Sequence, residues 1–571
     1  MKTNKRTLTN SAPTTNRVAY LAVLALLAAS SSAQAGDLYW DGTAASWNTA
    51  SGWSTSASAT TPDPASAPGA ADNAFFNIDS VTTPQTLTLD ANQSAAKLIL
   101  LDTATGGATL LGGGTDRTLS LGSGGLEVRP SAGPLVIGSS TSGQRVSMAL
   151  TANQSWTNSS ANAVTINNTI SAPAAQTLTL RGTGGYRLNG ANTFTGNVTA
   201  VSTVISIGND AALGSGQFLF NSGTLLIDDL PRTIANKVRA NTTATMNFSG
   251  DGPLTLSGNG STPSFTISSS AAPSINIINT APMTIAGIYL LCDSSSPNNN
   301  PQSPTLASGA NLNISADIWE TSSGNSSNVA NKGAKFVFVG TGANLTLTGN
   351  NQFGEASSLG RSTEIIAQPG IGFNTITIGG PGTIITPFGL SALFTNNGQG
   401  FYLKALENGL VLSNNISLGA STNNDGAKPI GFTGENDLTL AGSFTLGASV
   451  SFPNLASGTL TFSGILNCVT NRTLTILGSG NTVFSSSSTL TGIPNLWGGI
   501  AKSGPGTLTL AGSSDLLGAT SLRGGNAILD YSASNASRLT AGTNTVAAIV
   551  LGGVDLQLKG GNFNQTLGAG G

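Results

Sequence analysis

The sequence predicts an all-β chain folded as an elongated β-solenoid, with a right-handed parallel β-helix as the favoured form. Leucine alternates with threonine in short runs, and 73 glycines among the 571 residues concentrate between those runs. Charged residues make up only 8% of the chain, where roughly 25% is usual. Stacked turns bring equivalent positions about 4.8 Å apart, which disfavours charge and favours neutral polar side chains.

The alternating runs predict which face of each strand is buried. A period of two places every leucine on one face and every threonine on the other, and β-branched threonine suits an exposed strand face. We therefore expect the leucines to form a core. The runs are Thr86–Leu89, Thr118–Leu121, Thr177–Leu180, Leu254–Leu256, Leu345–Leu347, Leu438–Leu440, Leu474–Ile476 and Leu508–Leu510.

A longer block recurs around Gly190, Gly349 and Gly512, with large apolar residues four and two positions before each glycine and four after it. These residues are Tyr186, Leu188 and Phe194, then Leu345, Leu347 and Phe353, then Leu508, Leu510 and Leu516. One such unit cannot bury its apolar face alone, whereas a stack of units can. At about 22 residues per turn, the chain after residue 35 would form about 24 turns and a rod of about 115 Å. A string of antiparallel β-sandwiches is the alternative fold.

Three segments are predicted along the chain. Residues 1–35 have the basic start, the short apolar run Val18–Ala29 and the Ala33-Gln34-Ala35 cleavage motif of a secretory signal peptide. Residues 36–80 are expected to form a tryptophan-rich N-terminal cap, and residues 81–571 the β-helical repeat region. The apolar run is too short to span a bilayer, and we expect no transmembrane segment in the mature chain.

Composition excludes several classes of site. The chain has no histidine, which excludes a Ser-His-Asp triad, a Cys-His pair and a histidine-ligated zinc. Removing the four basic residues of the leader from 23 leaves 19 against 25 acidic residues, a net charge of −6, which disfavours a nucleic-acid partner. Neither a metal nor a cofactor is predicted. Cys292 and Cys468 are expected to be two free, mostly buried thiols.

A polysaccharide-active enzyme is the main functional alternative, because parallel β-helices also carry such activities. Asp228 and Asp229 are adjacent, but neighbours in a strand point to opposite faces, so we predict a strand-to-turn transition there. Asp317, Trp319 and Glu320 form a second cluster, in which Asp317 and Trp319 would share a strand face beside the second acid. This cluster is a candidate sugar platform, although an exposed turn whose tryptophan covers a gap in the core is the favoured interpretation.

Three of the six tryptophans, Trp40, Trp47 and Trp53, fall close together near the start of the mature chain. Their rings have apolar faces that can stack on sugars, so they are candidate ligand-binding residues. The favoured interpretation is instead a cap that closes the first turn, which a solenoid requires.

The segment AKSGPGTLTLAG at Ala501–Gly512, continuing through Gly518–Asp530, resembles the autotransporter-associated β-strand repeat, also called the passenger-associated transport repeat. Residues 182–199 and 340–354 are similar to it, and Asn209–Gly216 is similar to the segment that often follows the repeat. The resemblance implies a β-helical passenger on or outside a Gram-negative cell, often a stalk or adhesin, with no catalytic residues. Since the last 40 residues contain one aromatic, Phe563, we expect no C-terminal β-barrel and a chain that ends in mid-repeat.

We therefore expect an exported, non-catalytic β-helical passenger, a structural stalk or adhesin at the bacterial surface. Its expected partners are surface or extracellular polysaccharides or neighbouring cells. A polysaccharide-active or polysaccharide-binding β-helix protein is the alternative.

Overall fold

The structure is a computed structural model. It describes residues 36–240, 245–258, 263–267, 274–290, 304–319, 335–339, 341–349, 351, 363–367, 374–380, 382–388, 393–395, 401–418, 430–468, 472–492, 498–516, 518–539 and 549–561. The predicted signal peptide, Cys292, Glu320, Phe353 and Phe563 lie outside these residues. Helix is confined, in the described ranges, to the single 3-10 turn Ala50–Gly52.

The strands of the described residues stack into five sheets that wind into a β-solenoid. Sheet A contains Asp37–Trp40, Trp53–Ser54, Asn73–Phe76, Gln93–Leu100, Arg117–Val128, Val146–Leu150, Gln154–Asn158, Ile170–Ser171, Leu178–Arg181, Val198–Val201, Phe218–Phe220, Val238–Ala240, Phe265–Ile267, Ile288–Leu290 and Asp317–Trp319. Sheet B contains Gln85–Leu89, Ala108–Gly112, Leu135–Ile137, Val164–Ile166, Gly185–Leu188, Thr203–Ile207, Gly223–Ile227, Thr245–Gly250, Ser274–Ile277, Pro304–Leu306, Lys335–Phe338, Thr363–Ala367, Leu393–Thr395, Ile416–Leu418, Phe444–Leu446, Ile465–Cys468, Thr489–Gly492 and Ser513–Ser514.

Three shorter sheets complete the coil. Sheet C contains Arg232–Ile234, Leu254–Leu256, Met283–Ile285, Asn311–Ile314, Asn344–Leu347, Asn374–Ile378, Phe401–Ala405 and Ile430–Thr433. Sheet D contains Ile384–Ile385, Leu410–Leu412, Leu438–Leu440, Thr459–Phe462, Asn481–Phe484, Thr507–Leu510, Asn526–Asp530 and Asp555–Lys559. Sheet E contains Val450–Pro453, Thr473–Leu477, Gly499–Ser503, Thr520–Arg523 and Ile549–Gly552.

Sheet B runs along the coil without a break in pairing. Each of its strands lies parallel to the strand one turn later, so that Leu87 is beside Leu110, Leu110 beside Ile137, and Ile137 beside Ile166. The prediction of an all-β, parallel solenoid is therefore confirmed. The right-handed winding stays a prediction.

The core lies inside the coil and is built from the alternating runs. Their leucines are at most 2% exposed, while the intervening threonines and serine are half-buried or exposed. In Asn344–Leu347, for example, Leu345 and Leu347 are both buried and Thr346 between them is not. The predicted assignment of faces is therefore confirmed, because a period of two determines which side of a strand each residue occupies.

The length of one turn varies more than the sequence predicts. Residues paired across one turn of sheet B are 19 positions apart at Tyr186 and Ile205, but 32 apart at Thr305 and Val337. The short turn carries strands of sheets A and B only, whereas the long one also carries a strand of sheet C. The uniform repeat of about 22 residues, and the 24 turns calculated from it, are therefore wrong.

The recurring glycines allow successive turns to approach closely. A Cβ atom at Gly190 would collide with the main-chain oxygen of Asn168, and one at Gly349 with that of Ala316. At Gly512 it would collide with oxygens of Ser488. Each of these oxygens belongs to the preceding turn, so glycine is required there by packing between turns.

Buried asparagines hold some corners of the coil. The Asn158 Nδ2 group donates to the main-chain oxygens of Asn162 and Gly185, both at 2.9 Å. Asn454, also fully buried, donates in the same way to the main-chain oxygen of Asn481 at 2.9 Å. These amides donate to main-chain oxygens at or beside strand ends, where buried polar groups need a partner.

The structure describes one of the two cysteines. Cys468 is a free, fully buried thiol that ends a strand of sheet B, and burial raises its pKa to about 12. The prediction for this residue is confirmed, while Cys292 lies outside the described residues.

Candidate functional site

The three N-terminal tryptophans form one buried cluster. The ring centroid of Trp53 lies 5.3 Å from that of Trp40 and 5.0 Å from that of Trp47, both in edge-to-face geometry. The indole N–H of Trp53 donates to the main-chain oxygen of Trp47 at 2.9 Å. All three side chains are 0% exposed. Stacking on a sugar needs an open ring face, and this packing leaves none.

The segment around these tryptophans covers the first strands of two sheets. Trp53–Ser54 pairs antiparallel with Asp37–Trp40 at the start of sheet A. The main-chain N–H of Trp47 donates to Thr88 in the first strand of sheet B, and Thr88 donates back to Ala45. An uncovered sheet edge would offer main-chain groups to other chains, and this segment occupies them.

Tyr39 and Phe75 form an aromatic pair on the outer surface, and neither was among the candidate residues predicted from the sequence. These residues are partners in register across sheet A, and their rings stack with centroids 4.6 Å apart. Both are half-buried, whereas Trp40 and Phe76 next to them face the core. Alternation within the strand could have predicted the outward position of Tyr39, because an inward Trp40 requires an outward neighbour.

The candidate sugar platform is only partly described. Asp317 and Trp319 lie in one strand of sheet A, on either side of the fully buried Ile318. The Asp317 side chain is half-buried. The side chain of Trp319 and all of Glu320 lie outside the described residues, so the proposed grouping stays a prediction.

The adjacent acids lie at a strand end, as predicted. Gly223–Ile227 ends immediately before Asp228, and Asp229 is exposed with a φ of 56°. The Asp228 carboxylate is 3.1 Å from the Arg187 guanidinium and accepts a hydrogen bond from the Ser206 hydroxyl at 3.1 Å. This carboxylate bridges neighbouring turns of the coil.

Neutral polar ladders run along the outer surface. The Asn276 amide donates to the Asn247 oxygen at 2.8 Å, and the Asn247 amide donates to the Thr224 hydroxyl at 3.3 Å. These three residues are partners in register on successive strands of sheet B. In sheet C, Asn344 likewise donates to Asn311 at 3.3 Å. Amide ladders of this kind stack without the repulsion that like charges would create.

A cleft of about 570 Å³ opens beside the first strand of sheet C, Arg232–Ile234. Its polar walls include Asn197, Asp210, Gln217 and Lys237. These residues are widely spaced in the sequence and converge only because successive turns stack. The cleft could not be predicted from the sequence, because no local pattern joins these separated positions.

Across the described ranges, no cluster of three or more acidic or cysteine side chains has the geometry to hold a metal ion. No helix in those ranges has both the length and the apolar character needed to cross a membrane. No family model matches the chain, and neither a curated protein nor a solved structure shows significant similarity to it.

Proposed function

We propose that this chain is an exported, non-catalytic passenger that serves as a structural stalk or adhesin at the surface of a Gram-negative bacterium. The observation that carries the proposal is the unbroken sheet B, which runs from Gln85–Leu89 to Ser513–Ser514 through successive parallel pairs. Such a sheet makes a stiff rod rather than a globule, because each turn contacts only its neighbours. A rod holds its two ends apart, which is the mechanical task of a stalk.

The chemistry of the outer surface supports the same proposal. Neutral amide and hydroxyl ladders, such as Thr224–Asn247–Asn276, offer repeated weak contacts along one axis. Repeated weak contacts sum to useful avidity when the partner is itself a repeating surface. The resemblance of residues 501–530 to a passenger repeat points to the cell exterior.

Export is tested by producing the full chain in a Gram-negative host and sequencing the N-terminus of the recovered protein. We expect a mature protein that begins at Gly36 and is found outside the cytoplasm. A matched chain lacking residues 2–35 should stay in the cytoplasm at its full length. Cytoplasmic retention of both chains, without cleavage, would contradict the proposal.

Surface display is tested by treating intact producing cells with a protease, while a periplasmic marker reports on cell integrity. A stalk or adhesin should be degraded while the marker survives. Protection of the chain until the outer membrane is broken would contradict display. Small-angle scattering should give a rod, since the eighteen described strands of sheet B span about 80 Å at strand spacing.

The non-catalytic part of the proposal has its own assay. Bacterial and plant polysaccharides are incubated with the chain and sized by chromatography before and after. Unchanged sizes are expected. Shortened polysaccharides would contradict the proposal, and Asp317→Asn and Glu320→Gln variants would then test the candidate carboxylates.

A further inference from the structure

The cleft beside Arg232–Ile234 lies where the cross-section of the coil changes. The turn through Val198–Val201 and Thr203–Ile207 carries strands of sheets A and B, and the next turn adds Arg232–Ile234 as the first strand of sheet C. Among the described residues, no strand of sheet C lies beside Arg232–Ile234 in the preceding turn of the coil. The step between the two turns leaves a space of about 570 Å³, which is within the size range of ligand sites.

We propose that this cleft binds a short segment of an extended, neutral polysaccharide through its hydroxyl groups. This inference names a partner class and a binding site for the proposed function. A role of that site in adhesion rests on the proposed function. Binding itself depends only on the cleft.

Polar side chains line the cleft at a regular spacing. Asn197, Gln217 and Lys237 each precede a strand of sheet A, and those strands pair in register through Val198, Phe218 and Val238. The three residues therefore recur once per turn, about 4.8 Å apart. A row of polar groups at this interval parallels the rise of one sugar unit along an extended glycan.

The cleft offers both hydrogen-bond donors and hydrogen-bond acceptors. Asp210 Oδ1 accepts from the main-chain N–H of Thr233 at 3.0 Å, which fixes the carboxylate and leaves Oδ2 as an acceptor for a ligand. Asn197 Oδ1 accepts from the main-chain N–H of Gln217 at 3.0 Å, which holds that amide in place. A sugar hydroxyl both donates and accepts, so walls that offer both functions suit it better than they suit a purely anionic ligand.

The charges in the cleft are balanced, and one of its walls is built from small residues. Asp210 and Lys237 carry opposite charges, so the cleft does not favour a polymer of one sign. Small residues, among them Ala211, Gly214 and Ala235, line the remaining wall. Their low bulk lets the C–H face of a pyranose ring come close to the main chain.

The test is affinity electrophoresis of the full chain in native gels that contain dextran, xyloglucan, galactomannan or polygalacturonate. We expect retardation by at least one of the three neutral polymers. The double variant Gln217→Ala/Lys237→Ala should weaken that retardation by about tenfold or more in dissociation constant. The matched control Gln557→Ala/Lys559→Ala removes the same two residue types from an exposed strand of sheet D and should bind as the unaltered chain does.

A second variant separates binding from folding. Ala235→Trp fills the cleft from an exposed position and should abolish retardation while leaving the melting temperature within about 2 °C. Three outcomes would overturn the inference: no retardation by any neutral polymer, equal retardation of the cleft variants and the control, or retardation by polygalacturonate alone. None of these bears on export or rod shape, so failure of the cleft is distinguishable from failure of the proposed function.

Discussion

Lys502 donates a hydrogen bond from inside the solenoid to the main-chain oxygen of Gly524, one turn later, at 2.7 Å. It also donates to the main-chain oxygen of Gly504 at 2.7 Å, and only 3% of the residue is exposed. Burial lowers the pKa of its ammonium group. One buried cation thus donates to glycine oxygens at the corners of two successive turns.

We expect Lys502→Met to lower the free energy of unfolding by about 1–3 kcal/mol, because both glycine oxygens lose their donor. Hydrogen exchange of peptides covering Gly499–Ser503 and Thr520–Arg523 measures the change locally. The exposed Lys404→Met is the matched control and should alter exchange little, since surface substitutions usually cost less than about 0.5 kcal/mol. Equal effects of the two substitutions would contradict the bridging role of Lys502.

The inward and outward faces of sheet C are tested by a pair of neighbouring substitutions. Leu345→Asp places a carboxylate in the core and should cost about 3–5 kcal/mol or more. Thr346→Asp should cost under about 1 kcal/mol, because Thr346 is half-buried on the outer face and its oxygen already accepts from the Asn344 amide at 3.1 Å. Thermal melting of both variants checks this, and equal shifts would contradict the register.

The sequence predicts these faces well and the length of each turn poorly, for a physical reason. Which side of a strand Leu345 occupies depends only on alternation with its neighbours. Whether a turn carries an extra strand depends on segments as short as Arg232–Ile234, which leave no periodic signal. The cleft was missed for a related reason. Asn197, Gln217 and Lys237 become neighbours only through the pairing register.

The tryptophans illustrate a similar limit. Their closeness in sequence predicts that they act together, and the structure does bring Trp40, Trp47 and Trp53 into contact. Composition does not say whether an aromatic cluster points inward or outward. Here Tyr39 and Phe75 lie on the outer face while the three tryptophans are buried, so residue type alone does not identify which rings a ligand could reach.

The buried cluster predicts a large effect at the N-terminal end. Trp53→Ala removes a ring that packs against Trp40 and Trp47, and should cost about 3–5 kcal/mol. Tyr39→Ala is the matched control, because it removes a half-buried outer ring that stacks on Phe75 and should cost clearly less. Hydrogen exchange across residues 36–90 measures both. A larger loss of protection in Tyr39→Ala would refute a closing role for the cluster.

Charge placed in the amide ladder Thr224–Asn247–Asn276 should lower the free energy of unfolding. Asn247 accepts from Asn276 and donates to Thr224, so Asn247→Asp keeps the acceptor and loses the donor. We expect a loss of about 0.5–1.5 kcal/mol. The double variant Asn247→Asp/Asn276→Asp should lose more than the two single losses together, since like charges then lie on adjacent strands. Melting temperatures at low and high salt measure this additional loss of stability. The additional loss should shrink at high salt, because salt screens the repulsion between the two carboxylates. Additive losses that do not respond to salt would contradict the ladder.

Cys468 predicts how stability changes at alkaline pH. Burial raises the pKa of its thiol from the ordinary value of 9.0 to about 12 in the folded chain. The folded state therefore holds a proton that the unfolded state releases, so the contribution of the thiol to stability is complete below pH 9 and is lost between pH 9 and 12. One such group changes stability by at most about 1.4 kcal/mol per pH unit. Cys468→Ala leaves a small cavity and lowers stability at pH 7, but it should flatten the decline above pH 9. Denaturant midpoints of the two chains at pH 7, 9 and 10.5 measure the decline in stability. The buried tyrosines contribute to that decline equally in both chains, so a difference between the two declines belongs to the thiol. Parallel declines would mean that the thiol is already deprotonated, or already open to solvent, in the folded chain.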